Sequence, residues 1–306
     1  MSDNIIVTIL GSSSAPPQID RRQSSISIKY RNNNLLFDVG EATQVQMIKN
    51  KIKFKNLVIF FTHLHSDHTQ GLIGILSTRN FYDMKTPITI IGPPWTSSFV
   101  FLQLLAYRLY PEYEINVIET EGGTVLLNND LHIESFQLNH SDHSLGYKLS
   151  THQPLGIFNV EKAKEKKIPR GELWKLLQDG KPIEFNDNTI YPSDVLEESD
   201  LKKTSLVITG DTMIDQNVIN SSSSVDLLIH DGTYPPSESK RAKKHKHSTC
   251  LDAAYVAKFA NAKRLILTHI SNLHRDIENS IEEAKKIFPN CEFAYDNMRI
   301  ILKTKD

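Results

Sequence analysis

The chain has 306 residues, 35 basic and 36 acidic side chains and a formal net charge of -1. That balance excludes a histone-like polycation, and 39% hydrophobic with 23% charged residues excludes a disordered chain. Two cysteines, Cys250 and Cys291, exclude a disulfide framework and any CxxC metal motif. The length suits one large domain or two ordinary ones. No run approaches the ~20 apolar residues of a membrane span. The stretch Met1 to Gly11 carries Asp3 and lacks the basic start of a signal peptide. The expectation is a reduced, cytoplasmic protein with no membrane partner.

Apolar runs predict strands at Ile5–Leu10, Ser25–Tyr30, Asn34–Asp38, Leu57–Phe61, Ile88–Ile91, Ile115–Ile118 and His132–Leu138. Helical periodicity is expected at Thr43–Asn50, Leu72–Ser77 and Ser97–Tyr110. The stretch 151–182 is different: it has seven Lys/Arg against four Asp/Glu and is broken by Pro154, Pro169, Gly156, Gly171 and Gly180. By composition it is a solvated surface insertion with one amphipathic helix, or a protruding arm. Strands resume at Leu206–Thr209, Asp226–Ile229 and Leu265–Leu267, with helices at Leu251–Ala260 and Ile277–Ile287. Mixed strands and helices predict an α/β sandwich. Val58 to His63 echoes Leu265 to His269, a weak sign of two related halves.

Four of these runs end in ligand-type residues, and α/β sheets gather their chemistry at strand ends. The strongest signal is His63-x-His65-x-Asp67-His68, directly after an apolar run. Imidazoles and carboxylates suit zinc and other first-row ions. Three histidines and an aspartate from one loop exceed the needs of one tetrahedral ion. They suit two, with His63 and His65 on one and Asp67 and His68 on the other. Ions ~3.5–4 Å apart can hold an attacking water and a phosphoryl oxygen together. His140, at a strand end, is preferred over His143 as the next ligand of the first ion. Asp211, in Thr-Gly-Asp-Thr, would bridge both ions, and His269 would complete the second. His132, His152, His245 and His274 are taken as surface residues.

HxHxDH, a later histidine, a strand-end aspartate and a final histidine resemble the metallo-β-lactamase fold. Within it, essentially the whole chain is similar to the tRNase Z family. The matching segments are Leu36-Phe-Asp-Val-Gly-Glu-Ala-Thr-Gln44, Phe61 to His68 with Gly71-Leu72, His140 before Gly146-Tyr147, Ser205 to Thr212, and Leu267-Thr-His269-Ile-Ser. The resemblance implies a four-layer αβ/βα sandwich of two mixed sheets, a single domain over 1–306, with a flexible tRNA-binding arm inserted at 151–182. It implies two Zn2+ per subunit, replaceable by Mn2+ or another divalent ion, a precursor tRNA substrate, no DNA partner and a homodimer in which one subunit's arm serves the other's site.

Four places depart from the family pattern. Glu172 replaces the second proline of a PxGP turn. The HEAT-like box reads His230-Asp231-Gly232-Thr233. Gly11-Ser12 and Arg22-Gln23 stand for GT and RN. The implied reaction is endonucleolytic removal of the tRNA 3′ trailer, leaving a tRNA 3′-hydroxyl and a trailer 5′-phosphate. Asp67 would act as ligand and orient the water, and His247 of His-Ser-Thr would be the general acid, oriented by Asp231. Lys162, Lys164, Lys166, Lys167, Arg170 and Lys175 of the arm would meet phosphates, as would the basic run Lys240, Arg241, Lys243, Lys244 and Lys246. The alternatives are a phosphodiesterase of small diesters on the same fold, which would not need the arm, and a non-catalytic RNA-binding member, which would have lost ligands.

Overall fold

Short runs such as Leu-Val-Ile-Phe are apolar at successive positions because they are covered on both faces, the mark of strands inside a layered α/β protein. The computed structural model describes residues 4–16, 18–128, 130–151, 156–178, 180–186, 188–197 and 203–304; His152 and Pro154 lie outside them. The chain divides into two compact units, one from 3–151 and 204–303, the other essentially 152–203.

The larger unit opens with β1 (Ile5–Gly11), β2 (Ser25–Tyr30), β3 (Asn33–Phe37), α1 (Thr43–Lys49), β4 (Leu57–Phe60), α2 (Ser66–Thr69), α3 (Leu72–Phe81), β5 (Ile88–Gly92), α4 (Thr96–Ala106) and β6 (Ile115–Glu119). It continues with β7 (Gly123–Leu127), β8 (Leu131–Gln137) and β9 (Leu145–Thr151). The smaller unit holds β10 (Ile157–Phe158), α5 (Val160–Glu165), α6 (Glu172–Gln178), β11 (Ile183–Phe185), β12 (Asn188–Ile190) and β13 (Leu196–Glu197). The larger unit then resumes with β14 (Ser205–Ile208), α7 (Gln216–Ser221), β15 (Leu227–Asp231), α8 (Ser239–Lys244), α9 (Cys250–Phe259), β16 (Leu265–Thr268), α10 (Ile277–Ile287), β17 (Cys291–Phe293) and β18 (Arg299–Leu302).

Two seven-stranded mixed sheets result, ordered β18-β1-β2-β3-β4-β5-β6 and β17-β16-β15-β14-β9-β8-β7. In each, an antiparallel group gives way to parallel strands, from β3 to β6 and from β14 to β17. One apolar cluster draws residues from both sheets, including Ile5, Ile28, Phe60, Ile133, Tyr147 and Ile229. A second sets the first sheet against α1, α3 and α4 through Met47, Ile75 and Val100. A third sets the second sheet against α7, α9 and α10 through Val218, Ala253 and Ala284. The layer order is therefore helix, sheet, sheet, helix: a four-layer αβ/βα sandwich.

The smaller unit has its own core of Ala163, Ile168, Leu177, Ile183, Ile190 and Val195. Two short helices and a β-hairpin replace the single expected helix, because no stretch there sustains apolar periodicity beyond two turns. The Trp174 indole donates to the Ile168 carbonyl at 2.9 Å and rests on Phe158. Within the larger unit Thr151 and Thr204 meet, the Thr151 amide donating to the Thr204 carbonyl at 2.9 Å. The second unit thus leaves and re-enters the sandwich at one point. Among the described residues no helix is long and apolar enough to cross a membrane.

Tyr147 ties the two sheets together beside the strand ends. It is fully buried, packs edge-on against Phe37 and Phe60, and donates its hydroxyl to the Phe61 carbonyl at 2.6 Å. Tyr147→Phe leaves that buried carbonyl unpaired and should lower stability by about 1–3 kcal/mol, read as a reduced urea midpoint. An unchanged midpoint would show the bond to be dispensable.

Candidate metal centre

Parallel strands send their C-terminal ends to one edge, and each run that ends at this edge delivers a polar side chain. β3 delivers Asp38, β4 delivers His63 to His68, β14 delivers Asp211, β15 ends on Asp231, and β16 delivers His269. The turns are tight. Gly210 has φ +67, and a Cβ there would stand 2.7 Å from the Thr62 side chain. His269 itself has φ +58, an uncommon conformation for a non-glycine residue that is held by its neighbours.

The side chains form two donor sets. His63, His65 and His140 make one, and Asp67, His68, Asp211 and His269 the other. His65 Nδ1 lies 2.9 Å from His63 Nε2 and 3.4 Å from His140 Nε2. His269 Nε2 lies 3.3 Å from His68 Nε2 and 3.1 Å from Asp67 Oδ2. Asp211 Oδ2 is 3.3 Å from His68 and His269, 3.8 Å from His63 and 3.9 Å from His140, so it reaches both sets. Its other oxygen is buried with no hydrogen-bond partner. His143 is exposed and stays outside the cluster.

Charge argues the same way. Asp38, Asp67, Asp211 and Asp231 are all buried, and among the described ion pairs only histidines face them. Buried carboxylates without cations are costly. Burial alone would raise the Asp211 carboxyl, but the facing His269 and His68 hold it well below its ordinary range. Burial would lower His68, but Asp211 and Asp38 drive it well above the imidazole range. Burial keeps His63 and His140 low, hence neutral with lone pairs available. Neutral imidazoles, ionised carboxylates and an orphan carboxylate oxygen fit a divalent metal.

A surrounding layer aims these donors. Asp38 accepts from the Thr62 amide and hydroxyl, both at 2.8 Å, and from His68 Nδ1 at 2.7 Å, which turns His68 Nε2 toward the centre. Thr233 donates its single hydroxyl proton to Asp231 at 2.5 Å, so at His269 Nδ1, 2.8 Å away, it accepts, leaving Nε2 free. Sequence reading assigns no role to Asp38 or Thr233. The available signal for Asp38 is its place after an apolar run, the same signal that marks Asp211.

His247 stands beside the second set. Its Nδ1 donates to Asp231 Oδ2 at 2.8 Å, and its ring stacks on His269 at 5.3 Å. Asp231 also accepts from the Thr212 and Thr233 amides. Burial would lower the His247 pKa, but Asp231 and Asp211 raise it to about 9. The Lys246 carbonyl accepts from His140 Nδ1 at 2.9 Å, tying the segment after α8 to the first set. Lys243 and Lys244 are exposed on α8. In the smaller unit Lys164 pairs with Glu161 and Lys166 with Asp194, while Lys167 and Arg170 are exposed.

Two histidines differ from the surface reading. His274 is half-buried, lies against Phe293 and donates from Nε2 to the Gly232 carbonyl at 3.0 Å. His132 is half-buried between Thr124 and Glu134. His245 is exposed.

The chain is 34% identical to ribonuclease Z of Gemmatimonas aurantiaca, covering 97% of this chain and 96% of that one. It is 34% identical to ribonuclease Z of Methanosarcina acetivorans, covering 96% and 97%. It belongs to the ribonuclease Z family. The family described as anti-Pycsar protein Apyc1 also matches residues 5–153. Among solved structures, the short form of human tRNase Z superposes with TM-score 0.69 at 24% identity, covering 96% of this chain and 98% of that one. The metallo-β-lactamase fold protein YhfI of Bacillus subtilis superposes with TM-score 0.71 at 17% identity, covering 98% of this chain and all of that one, so this chain has the metallo-β-lactamase fold.

Removing Asp38 support should cost metal without unfolding the chain. Asp38→Asn should weaken divalent-metal affinity about 10–100-fold, and Asp211→Ala should lose metal outright, both by elemental analysis and competition with a chelating dye. Full occupancy in Asp211→Ala would contradict its place between the two sets.

Proposed function

We infer that this protein removes the 3′ trailer of precursor tRNA by hydrolysing one phosphodiester, leaving a 3′-hydroxyl on the tRNA and a 5′-phosphate on the trailer. The observation that carries the reading is the His247–Asp231 pair beside two converging donor sets, in a chain 34% identical to named ribonucleases Z. The first set would hold one Zn2+ and the second another, with Asp211 shared; Mn2+ or another divalent ion can substitute. When bound, such ions acidify water and draw charge from phosphoryl oxygens.

The protein's own residues do the rest. Burial would raise the Asp67 carboxyl, but the facing His269 and His68 hold it low and ionised; it would be a ligand and orient the attacking water's proton. The leaving group is the tRNA 3′ oxygen, a poor alkoxide. His247 supplies its proton, and its pKa of about 9 keeps it protonated at neutral pH. Asp231 fixes the tautomer, leaving Nε2 as the proton donor. The exposed α8 cations Lys243 and Lys244, with Lys240, Arg241 and Lys246, would meet the acceptor stem. The smaller unit is the arm, gripping the tRNA body through Lys164, Lys166, Lys167 and Arg170. Lys167 and Arg170 are the stronger candidates, since Lys164 and Lys166 are already paired.

The functional unit is a homodimer in this reading. α4 carries exposed Phe101, Leu102 and Leu105, followed by Tyr107 and Tyr110, an apolar surface that a second copy would cover. Cys250 and Cys291 are buried free thiols, which suits a reducing compartment.

Single-turnover cleavage of a pre-tRNA with a short trailer tests the reading. One chelator-sensitive cut leaving a tRNA 3′-hydroxyl supports it. Hydrolysis of bis(p-nitrophenyl) phosphate without any RNA cut moves the function to small diesters. His247→Ala should keep its metal and lose at least ~100-fold on pre-tRNA, but far less on bis(p-nitrophenyl) phosphate, whose leaving group needs no proton. Wild-type turnover of RNA would remove His247 as the acid.

Replacing 152–203 by a short glycine linker between Thr151 and Thr204 should raise KM for pre-tRNA and spare the small diester. Equal losses on both would count against an RNA-gripping arm.

A further inference from the structure

The two sheets pack face to face, and contacts join them along the edge where the donor-bearing strand ends lie. At one end a bridge joins Ser13 to Ile270. In the middle the Leu145 amide donates to the Thr62 carbonyl, and at the far end Thr120 meets Ser135. The cleft between the strand ends therefore has two ends with the metal ligands between them. His247 and His269 belong to the β15–β16 end. The other end is built by the turns after β5 and β6 and by the β8–β9 loop.

At that far end lies a shallow, open depression enclosing only about 30 Å3, lined by Pro94, Thr120, Glu121, Gln137, Asp142 and His143. Trp95, next in the chain to the lining Pro94, is 67% exposed. Trp95 has φ +79, the largest positive φ of any described non-glycine residue and the only one at a Phe, Tyr or Trp. A residue with a Cβ rarely holds that conformation, and glycine holds it freely. A bulky indole thus sits in solvent on backbone that favours glycine.

Its position relative to the site is set by β4 and β5. The Phe61 amide bonds the Ile91 carbonyl, so the His63 loop and the Pro93-Pro94-Trp95 turn leave the same edge at the same level. Phe99, one turn into α4, packs edge-on against Phe61.

We propose that the exposed Trp95 indole is a stacking platform for an unpaired base of the 3′ trailer, with the Glu121 and Asp142 wall facing the base's edge. The proposal rests on the ribonuclease reading in one respect. His247 protonates the tRNA 3′ oxygen, so the tRNA lies toward the β15–β16 end. A strand laid along the cleft across the metal donors then carries the trailer, on the far side of the scissile phosphate, toward the other end. Exposed aromatic faces stack bases of any sequence. The wall's carboxylates, Glu121 and Asp142, repel phosphate but accept hydrogen bonds from exocyclic amino groups, as acidic side chains do with cytosine. This wall favours a base edge over a phosphate. His143, next to the His140 loop yet outside the donor sets, lines this wall.

The test uses the metal-loaded full chain and 5′-phosphorylated five-nucleotide RNAs, with binding read by fluorescence anisotropy. Trp95→Gly should weaken cytidine-trailer binding about 5–100-fold, as expected for a lost stacking platform, while its melting midpoint stays level or rises. Trp95→Phe should recover most of the affinity. An oligonucleotide abasic at the stacked position should bind wild type weakly and Trp95→Gly no more weakly, the non-additivity of one contact. Uridine trailers should bind more weakly than cytidine trailers.

Equal trailer affinity in wild type and Trp95→Gly would overturn the subsite, and additive losses would mean that the indole acts elsewhere. Equal cytidine and uridine affinity would remove Glu121 and Asp142 from it. Binding needs no cleavage, so a chain that fails to cut pre-tRNA and a chain that lacks this subsite give different results.

Discussion

Four carboxylates are buried where the two sheets meet, and imidazoles are the only charge-bearing groups facing them among the described ion pairs. That is an unstable arrangement for a protein alone, because each uncompensated buried charge costs several kcal/mol. His68 is driven toward its protonated form by Asp211 and Asp38, taking the part of a cation that the cluster demands. The surrounding structure serves to hold these groups in place against that cost. Tyr147 pins one sheet to the other beside them, the Thr62 hydroxyl and amide hold Asp38, and Gly210 lets β14 turn sharply enough to present Asp211. Stability at this edge is therefore coupled to metal binding by mass action.

The two halves obtain this convergence in the same way. Counting from β18 in one sheet and from β7 in the other, β3 and β14 both take fourth place, and β4 and β15 fifth. Asp38 and Asp211 follow the matched fourth strands. One orients His68 and the other reaches both donor sets. The sequence echo instead links β4 with β16, which stands one place further along. Six similar residues reflect a shared need, an apolar strand ending in histidine, rather than equivalent positions.

Burial on both faces also decides which elements are legible in the sequence. Strands covered on both sides are uninterrupted apolar runs, so β1, β2, β4 and β16 stand out. β9 does not, because Gly146, Ser150 and Thr151 dilute it, and its burial comes from pairing with β8 and β14 at long range. The edge strands β7, β17 and β18 are short or partly exposed and carry too little apolar pattern. At the site, ligand-type residues are visible because they cluster at strand ends. Asp38, Thr233 and His274 are not, since a carboxylate, hydroxyl or imidazole that orients another group differs from an ordinary polar residue only in what it touches. The smaller unit is visible as a composition change over 151–182. Its full extent is not, because its core is assembled from short pieces that continue beyond that basic stretch to Ile183, Ile190 and Val195.

The two ends of the cleft differ in a way that assigns polarity to an RNA. At the β15–β16 end, α8 presents Lys240, Lys243 and Lys244 to solvent, suited to the dense phosphates of a duplex stem. At the β5–β6 end the lining is carboxylate and the platform is an indole, unsuited to phosphate and suited to an unstacked base. A fully duplex RNA satisfies the first end and not the second, while a single strand satisfies the second and not the first. An acceptor stem continuing into an unpaired trailer satisfies both, with its junction over the metal ligands. Trp95 carries the clearest signature of such selection. Its left-handed backbone costs of order 1–2 kcal/mol relative to an unstrained residue, and packing inside the fold does not recover that, because most of the indole is in solvent. A ligand stacked on it would.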